Sequence, residues 1–376
     1  MNRHALDAKH YISADSFELE RQHLFSKLWI FVGFTSQVAE RNQFFTRNIA
    51  GTPVLIQRTE AGIRAFVNQC PHRLSAIQTQ NHGKRPMVCP YHAWAFGAEG
   101  ELRGIPNEGL YQFDPREKQK LCLRKLHLQE VGQLVFVNLS PQPISIDEQF
   151  TSGFIDKLRE ASAHLDSSII YSCHRVRYNW KFNIENVKDY NHIPFIHSKT
   201  FSPYMESKIK SLPVDRQGKH IVSDLLDTFA AQPLSDLSYS TKGAITPYVN
   251  WYHDLCQVYG DEHVFHDWFV YPNLNFYSVR GEYFALQQYE PVSPGETDYH
   301  LWVMTACRKD KRTDFTALLS TLIRAEHKVI GEDTVILERL QAGLGTQALP
   351  FTHGDYEDFL VRQHLWYRQR VLGESA

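Results

Sequence analysis

Two short segments of this chain carry paired thiols and imidazoles: Cys70-Pro71-His72-Arg73 and Cys89-Pro90-Tyr91-His92. The spacing is C-x-H, a gap of 16 residues, then C-x-x-H. Thiolates and neutral imidazoles are both metal ligands, so two loops that each deliver one of each can enclose a metal centre. In both loops the Cys precedes a Pro, which fixes φ and removes a backbone donor, suiting a loop wrapped tightly around its contents. A second constellation lies downstream, where Asp189, His192 and His197 form D-x-x-H-x-x-x-x-H.

Two thiolates on one iron and two imidazoles on the other is the ligand set of a Rieske [2Fe–2S] cluster. Replacing two anionic thiolates by neutral imidazoles raises the potential, which makes such a cluster an electron relay rather than a strong reductant. The competing reading is a structural zinc site, which takes the same residue types but usually spaces them by two to four residues. The single-residue gap between Cys70 and His72 favours the cluster. Tyr91, Trp94 and Phe96 would shield it, although rings at these positions also suit an ordinary core.

In the second set, a carboxylate three residues before an imidazole can share a helix face with it and reach it. A carboxylate behind a metal-bound histidine fixes its tautomer. Pro194 disfavours helix at Ile193, so the helix is expected to loosen between the two histidines and let His197 swing back. Two histidines and one carboxylate make the facial triad of non-haem Fe(II) oxygenases, with positions left open for oxygen. The expected third ligand is Asp333, which on a 3.6-residue helix falls on the stripe of Val329, Ile330, Ile336, Leu337 and Leu340, with Glu332 and Glu338 pointing elsewhere. An acid on an apolar face is costly unless paired or metal-bound. Glu326, two turns earlier, is its rival, and a hydrogen-bonded structural Asp is the plainer alternative.

These motifs need elements to hold them. The chain has 376 residues, 43% hydrophobic and 13% aromatic, enough for two domains with substantial cores. A formal charge of −2 supplies no basic field for nucleic acid and no polybasic membrane patch. No run of about 18 apolar residues could span a bilayer, and the N-terminus lacks a signal-peptide pattern, so a cytoplasmic location is expected. Cys122, Cys173, Cys256 and Cys307 show no framework spacing and are assigned no role.

Residues 13–29 read as a helix. Residues 53–58 and 63–68 read as a hairpin around Glu60-Ala61-Gly62, and Val131–Asn138 as a further strand. Together they suggest an all-β domain over 40–142 that carries both Cys/His loops at its tip. Ser140-Pro141-Gln142-Pro143 reads as a linker. The remainder, 1–39 and 143–376, is expected to form the second domain: helical segments, an antiparallel sheet from residues 268–271, 274–279, 283–289 and 299–304, then helices from about 313 onward. The fold class is α+β. Residues 200–245 lack periodicity and are expected to form a lid or channel, with Phe195, Phe201 and Tyr204 as pocket walls.

With these residues in view, the chain resembles the catalytic α subunit of the Rieske non-haem iron oxygenases, the ring-hydroxylating family. The resemblance runs through Trp29-Ile30-Phe31-Val32-Gly33, both Cys/His loops, Asn179-Trp180-Lys181, Glu185–Asp189 and Glu332-Asp333 with Gln341–Leu344. It implies a Rieske domain holding one [2Fe–2S] cluster through Cys70, His72, Cys89 and His92. It also implies a helix-grip catalytic domain holding one mononuclear Fe(II) through His192, His197 and Asp333. Asp189 would bridge the cluster histidine of one subunit, His92 by position, to the iron histidine His192 of its neighbour, in a homotrimer (α3 or α3β3). Electrons would come from NAD(P)H through a separate reductase or ferredoxin, as no G-x-G-x-x-G fingerprint is present.

The implied activity is a mono- or dioxygenase reaction with O2 on a small compound. Leu74 stands where the family often has Gly, and Asn191 where a Tyr is common. Members acting on carnitine and choline often carry Glu at the bridging position, so Asp189 leans toward aromatic substrates and aromatic-compound metabolism. The aromatic-rich stretch between Pro247 and Tyr289 could hold an arene or cage a quaternary ammonium. The alternatives are an oxidative demethylase or quaternary-ammonium monooxygenase of the same family, and, from another class, a non-catalytic Rieske electron-transfer or metal-stabilised binding protein.

Overall fold

The computed structural model describes residues 6–189, 191–200, 239–242, 251–260, 264–345, 351–354 and 357–374. The chain divides into two compact units, one of residues 25–146 and one of residues 1–24 with 147–376. The first boundary lies at 25 instead of the expected 40, and the second at 146 instead of 142.

Residues 25–39 join the first unit because Ile30–Phe34 (β1) is one of its strands. β1 starts a seven-stranded sheet with Gln43–Ile49 (β2), Thr52–Thr59 (β3), Gly62–Val67 (β4), His82–Lys84 (β5), Lys125–Val131 and Leu134–Asn138. Its spatial order is β1, Leu134–Asn138, Lys125–Val131, β4, β3, β2, β5. The β3–β4 hairpin turns at Glu60-Ala61, with Thr59 opposite Gly62. The single strand expected over Val131–Asn138 is instead a tight hairpin, with Val131 opposite Leu134 and Gly132 at φ 59°. Glycine adopts that conformation freely, and apolar Val131 and Leu134, directly flanking the turn, hide it in the sequence. A two-stranded ribbon, Ala95–Phe96 (β6) with Leu102–Gly104 (β7), completes the unit, and Lys125–Val131 and Leu134–Asn138 become β8 and β9.

The second unit is built on a six-stranded antiparallel sheet. Its strands are Ile170–Val176 (β10), Tyr239–Lys242 (β11), Val264–Val270 (β12), Leu274–Val279 (β13), Tyr283–Ser293 (β14) and Glu296–Thr305 (β15), ordered β10-β15-β14-β13-β12-β11. Edge strand β10 lies where helical segments were expected. Most of its residues are exposed, so it has no clean apolar alternation to read. Pairing puts Asp267, Tyr277, Ala285 and Val303 in one row, with Asn275 beside Gln287 and Tyr289 beside Tyr299 in neighbouring rows. Paired residues point to the same side of a sheet, so these side chains share one face. The 28-residue helix Thr316–Gly343 lies on that face. Tyr277 and Tyr283 donate to its Glu326, and Ser172 on β10 reaches its His327 at 2.8 Å. The opposite face is packed by Trp268, Phe276 and Phe284.

The helix expected over 13–29 is shorter. Ser13 caps Ala14–Glu20 through Asp15 and Ser16 amides, and a wider π turn, Arg21–Phe25, ends it. Its last residue ties the N-terminal segment to the second unit. The fully buried Glu20 accepts from Lys181 Nζ at 2.5 Å, Trp180 Nε1 at 2.8 Å and Tyr367 at 2.6 Å. Among the described residues no helix is long and apolar enough to cross a membrane. All six cysteines are free.

Deleting one partner of a buried pair leaves an uncompensated charge, at a cost of about 3–5 kcal/mol. Lys181→Met is therefore expected to destabilise the second unit by about that amount, read as a lower urea midpoint at unchanged slope.

Candidate active site

The two Cys/His loops are near copies of one another. In the first, Cys70 N–H donates to Ser75 O at 2.8 Å and Leu74 N–H to Cys70 O at 2.9 Å. In the second, Cys89 N–H donates to Trp94 O at 2.8 Å and Ala93 N–H to Cys89 O at 3.0 Å. Both loops turn on a left-handed residue, Leu74 at φ 59° and Ala93 at φ 55°. That conformation costs a residue with a Cβ about 1–2 kcal/mol, which explains why Gly suits position 74. Leu74 is tolerated there with its side chain 67% exposed.

Cys70 and Cys89 lie buried in a core with Phe44, Leu55, Phe66, Ile77, Met87, Trp94 and Phe96. Burial pushes the Cys70 thiol up to about 11, and the Cys89 thiol beside it adds to the effect. Burial keeps such thiols protonated, so their use as ligands requires a metal that displaces the protons. The rings of His72 and His92 have centroids 4.6 Å apart, and His72 stacks on Trp94 at 4.8 Å. Both Nδ1 atoms are buried and unpartnered. Two thiols and two unsatisfied imidazole nitrogens at one tip fit a Rieske cluster. Trp94 and Phe96 shield this tip from inside; Tyr91 is 57% exposed, with its ring 3.8 Å from that of His92.

In the second unit, helix Lys181–Lys188 is held at both ends. Lys181 meets Glu20, and the buried Lys188 meets Asp267 at 3.0 Å on the sheet face. The helix then stops. Asp189 is extended (φ −97°, ψ 107°), and its Oδ1 accepts from Asn191 N–H at 2.7 Å. Asp189 and His192 thus do not share a helix face, as the three-residue spacing had suggested; Asp189 Oδ2 stands 3.7 Å from His192 Nδ1, beyond hydrogen-bond range. Pro194 also plays a different part. It sits in the first turn of the short helix Ile193–Ile196, where a missing N–H costs nothing, so it starts a helix instead of loosening one.

That single turn closes the gap of five between the histidines. Ile196 N–H donates to His192 O at 2.8 Å and His197 N–H to Ile193 O at 3.0 Å. The two Nε2 atoms end 3.2 Å apart. Asp333, from the long helix, places Oδ1 2.9 Å from His197 Nε2 and 3.6 Å from His192 Nε2. One ligand atom from each of His192, His197 and Asp333 lies within 4.8 Å of the others. Asp333 Oδ1 is buried without a hydrogen bond of good geometry. Three lone-pair donors facing a common point fit a metal ion.

Glu326 is not part of this triad. Glu332 is the residue the sequence reading missed: expected to point elsewhere, it accepts at 2.8 Å from His197 Nδ1 and at 2.5 Å from Thr200 Oγ1. Burial opposes protonation of His197, but Asp333 and Glu332 outweigh it and raise its pKa. The available signal was adjacency, since consecutive helical residues lie 100° apart and can grip one imidazole from two sides. Of the stripe that located Asp333, Leu337 is buried but Leu340 is 48% exposed. Among the suggested pocket rings, Phe195 is 75% exposed, Trp268, Phe269 and Phe276 are sheet core, and Phe201, Tyr204 and Tyr248 lie outside the described residues, as does most of 200–245.

Losing a carboxylate behind a metal-bound histidine typically costs 10–100-fold in metal affinity. Glu332→Ala is expected to lower affinity for ferrous iron by about that factor, measured by chelator competition, with the [2Fe–2S] absorbance unchanged.

Comparisons with known proteins bear on the family of the chain. Residues 157–373 match the family model of the ring hydroxylating alpha subunit (catalytic domain), and residues 28–114 match the Rieske [2Fe-2S] domain. The carnitine monooxygenase oxygenase subunit of Escherichia coli (strain K12) is 32% identical over 192 residues, 50% of each chain. The chloroplastic choline monooxygenase of Beta vulgaris is 31% identical over 216 residues, 54% of this chain and 47% of that one. The match thus spans about half the length of these curated relatives. A crystal structure of the quaternary ammonium Rieske monooxygenase CntA superimposes with a TM-score of 0.76 at 22% identity, covering 98% of this chain and 97% of that one, a likeness of fold. The chain belongs to the ring-hydroxylating α-subunit family, with a Rieske [2Fe–2S] domain preceding its catalytic domain.

Proposed function

We propose that this chain is the terminal oxygenase component of a multicomponent system, taking electrons from NAD(P)H through a separate reductase or ferredoxin and oxidising a small quaternary ammonium compound with O2. The observation that carries the oxygenase reading is the convergence of His192, His197 and Asp333 in a chain that also bears the paired Cys/His loops. The names of the sequence relatives, carnitine and choline monooxygenases, support the substrate class over the arene suggested by Asp189.

In this reading Cys70 and Cys89 hold one cluster iron and His72 and His92 the other, while His192, His197 and Asp333 hold the mononuclear iron. When bound, the cluster supplies single electrons and the mononuclear iron supplies open positions for O2 beside the substrate. Glu332 keeps the proton of His197 on Nδ1, so that Nε2 offers its lone pair inward. The two imidazoles and the carboxylate would supply three ligands to the ion, leaving its remaining positions to reactants. Asp189 acts as a positioning residue between His192 and the cluster histidine of a neighbouring subunit, which makes a homotrimer the working form.

Holoprotein purified under anaerobic conditions should contain about two cluster irons and one mononuclear iron per chain and show a Rieske EPR signal. With a surrogate reductase, carnitine, choline or glycine betaine should stimulate coupled NADH and O2 consumption, and naphthalene should not. Stimulation by naphthalene alone would return the substrate class to arenes. Zinc in place of iron, or an EPR signal without O2 uptake for any compound, would replace the oxygenase by a binding or electron-transfer protein. Asp189→Asn should cut turnover at least about 100-fold, about 2.8 kcal/mol in the barrier, with both metals retained.

A further inference from the structure

Glu326 occupies a place that the metal chemistry does not use. It lies seven residues before Asp333 on the long helix, two turns and about 10 Å along the axis, and on nearly the same side. Its carboxylate faces the sheet, where Tyr277 donates to one oxygen and Tyr283 to the other. Gln287 supports Tyr277 at 3.4 Å, and Tyr289 supports Gln287 at 3.0 Å. Tyr277, Tyr283, Gln287 and Tyr289 all lie on the sheet face that takes the long helix.

Two features set this carboxyl apart from an ordinary structural acid. No positively charged side chain among the described residues pairs with it; its contacts are the two hydroxyls, and burial raises its pKa. An ionised carboxylate in such a place is costly until a cation arrives. The surroundings are also aromatic on several sides: Tyr277 and Tyr283 meet nearly edge to face, with centroids 6.5 Å apart at 85°, and Phe265 lies 5.8 Å from Tyr277. Glu326 and Phe265 are half-buried, whereas Tyr277 and Tyr283 are buried.

We propose that Glu326, in the corner formed by Tyr277, Tyr283 and Phe265, is the subsite that receives the cationic head of the substrate. A quaternary ammonium carries no N–H and cannot be held by hydrogen bonds. It is held by opposite charge and by aromatic rings, and this corner brings one carboxyl together with three rings. The separation of Glu326 from Asp333, about 10 Å along the helix, is on the scale of a small substrate reaching from an anchored head group toward the metal ligands. The assignment rests on the quaternary-ammonium reading above and names the residues that would impose it.

The test uses iron-loaded holoenzyme under anaerobic conditions, with binding of choline and of its neutral carbon isostere 3,3-dimethylbutan-1-ol measured by calorimetry. The wild type is expected to prefer choline by about tenfold or more. Glu326→Gln should weaken choline binding about tenfold and leave the isostere unchanged, so that the preference collapses. Phe265→Leu, which removes a ring face and keeps the carboxylate, should erode the preference several-fold and serves if the Gln variant does not fold. Iron content and thermal midpoint are followed for each variant. A choline preference that survives both substitutions in iron-loaded protein overturns the assignment, as does a wild type that does not distinguish the two compounds. Either result in an enzyme that still couples O2 uptake to a quaternary ammonium leaves the proposed function intact; absence of O2 uptake with every compound is the failure of that function instead.

Discussion

Everything at the candidate metal centre depends on bringing three lone-pair donors to one point. Two imidazole nitrogens at 3.2 Å and a carboxylate oxygen at 2.9 Å from one of them are not a stable cluster by themselves. They are held in register by groups further out. Glu332 and Thr200 fix His197, one helical turn fixes the spacing of His197 to His192, and a 28-residue helix fixes Asp333. Such arrangements are kept where the cost of assembling them is returned by a bound ion.

The sheet and its two helices supply that rigidity. Helix Lys181–Lys188 ends in a buried charge pair on each side, so the chain leaves Asp189 from a fixed point. The long helix is seated on the same sheet face through Glu326 and His327. One face of the sheet therefore orients both chain segments that contribute metal ligands. Its polar and aromatic residues are placed for that task, whereas the opposite face is conventional core packed by Trp268, Phe276 and Phe284.

How much of this the sequence disclosed follows from the range of each interaction. The Cys/His loops were readable because all of their chemistry lies within four consecutive residues each. Asp333 was readable because a lone acid on an apolar helical stripe contradicts its surroundings. Glu332 was not, because its partner is 135 positions away and its adjacency to Asp333 was the one local sign of its role. The break at Asp189 was hidden for a related reason. A three-residue spacing fits a helix, and the Asn191 amide that captures the carboxylate becomes visible only in three dimensions. Strand β10 escaped because it is an exposed edge. The hairpin at Gly132 escaped because its first arm is mostly polar and exposed, which left only the apolar arm after the turn to be read as a strand.

The matched turns around Cys70 and Cys89 have one more consequence. Each closes on its own backbone within six residues and packs its sulfur into a shared apolar wall, so the shape of the receptacle is set locally. A receptacle of this kind presents its two thiols and its two imidazoles from matching turns, so a lengthened or shortened loop on either side would misplace two ligands at once.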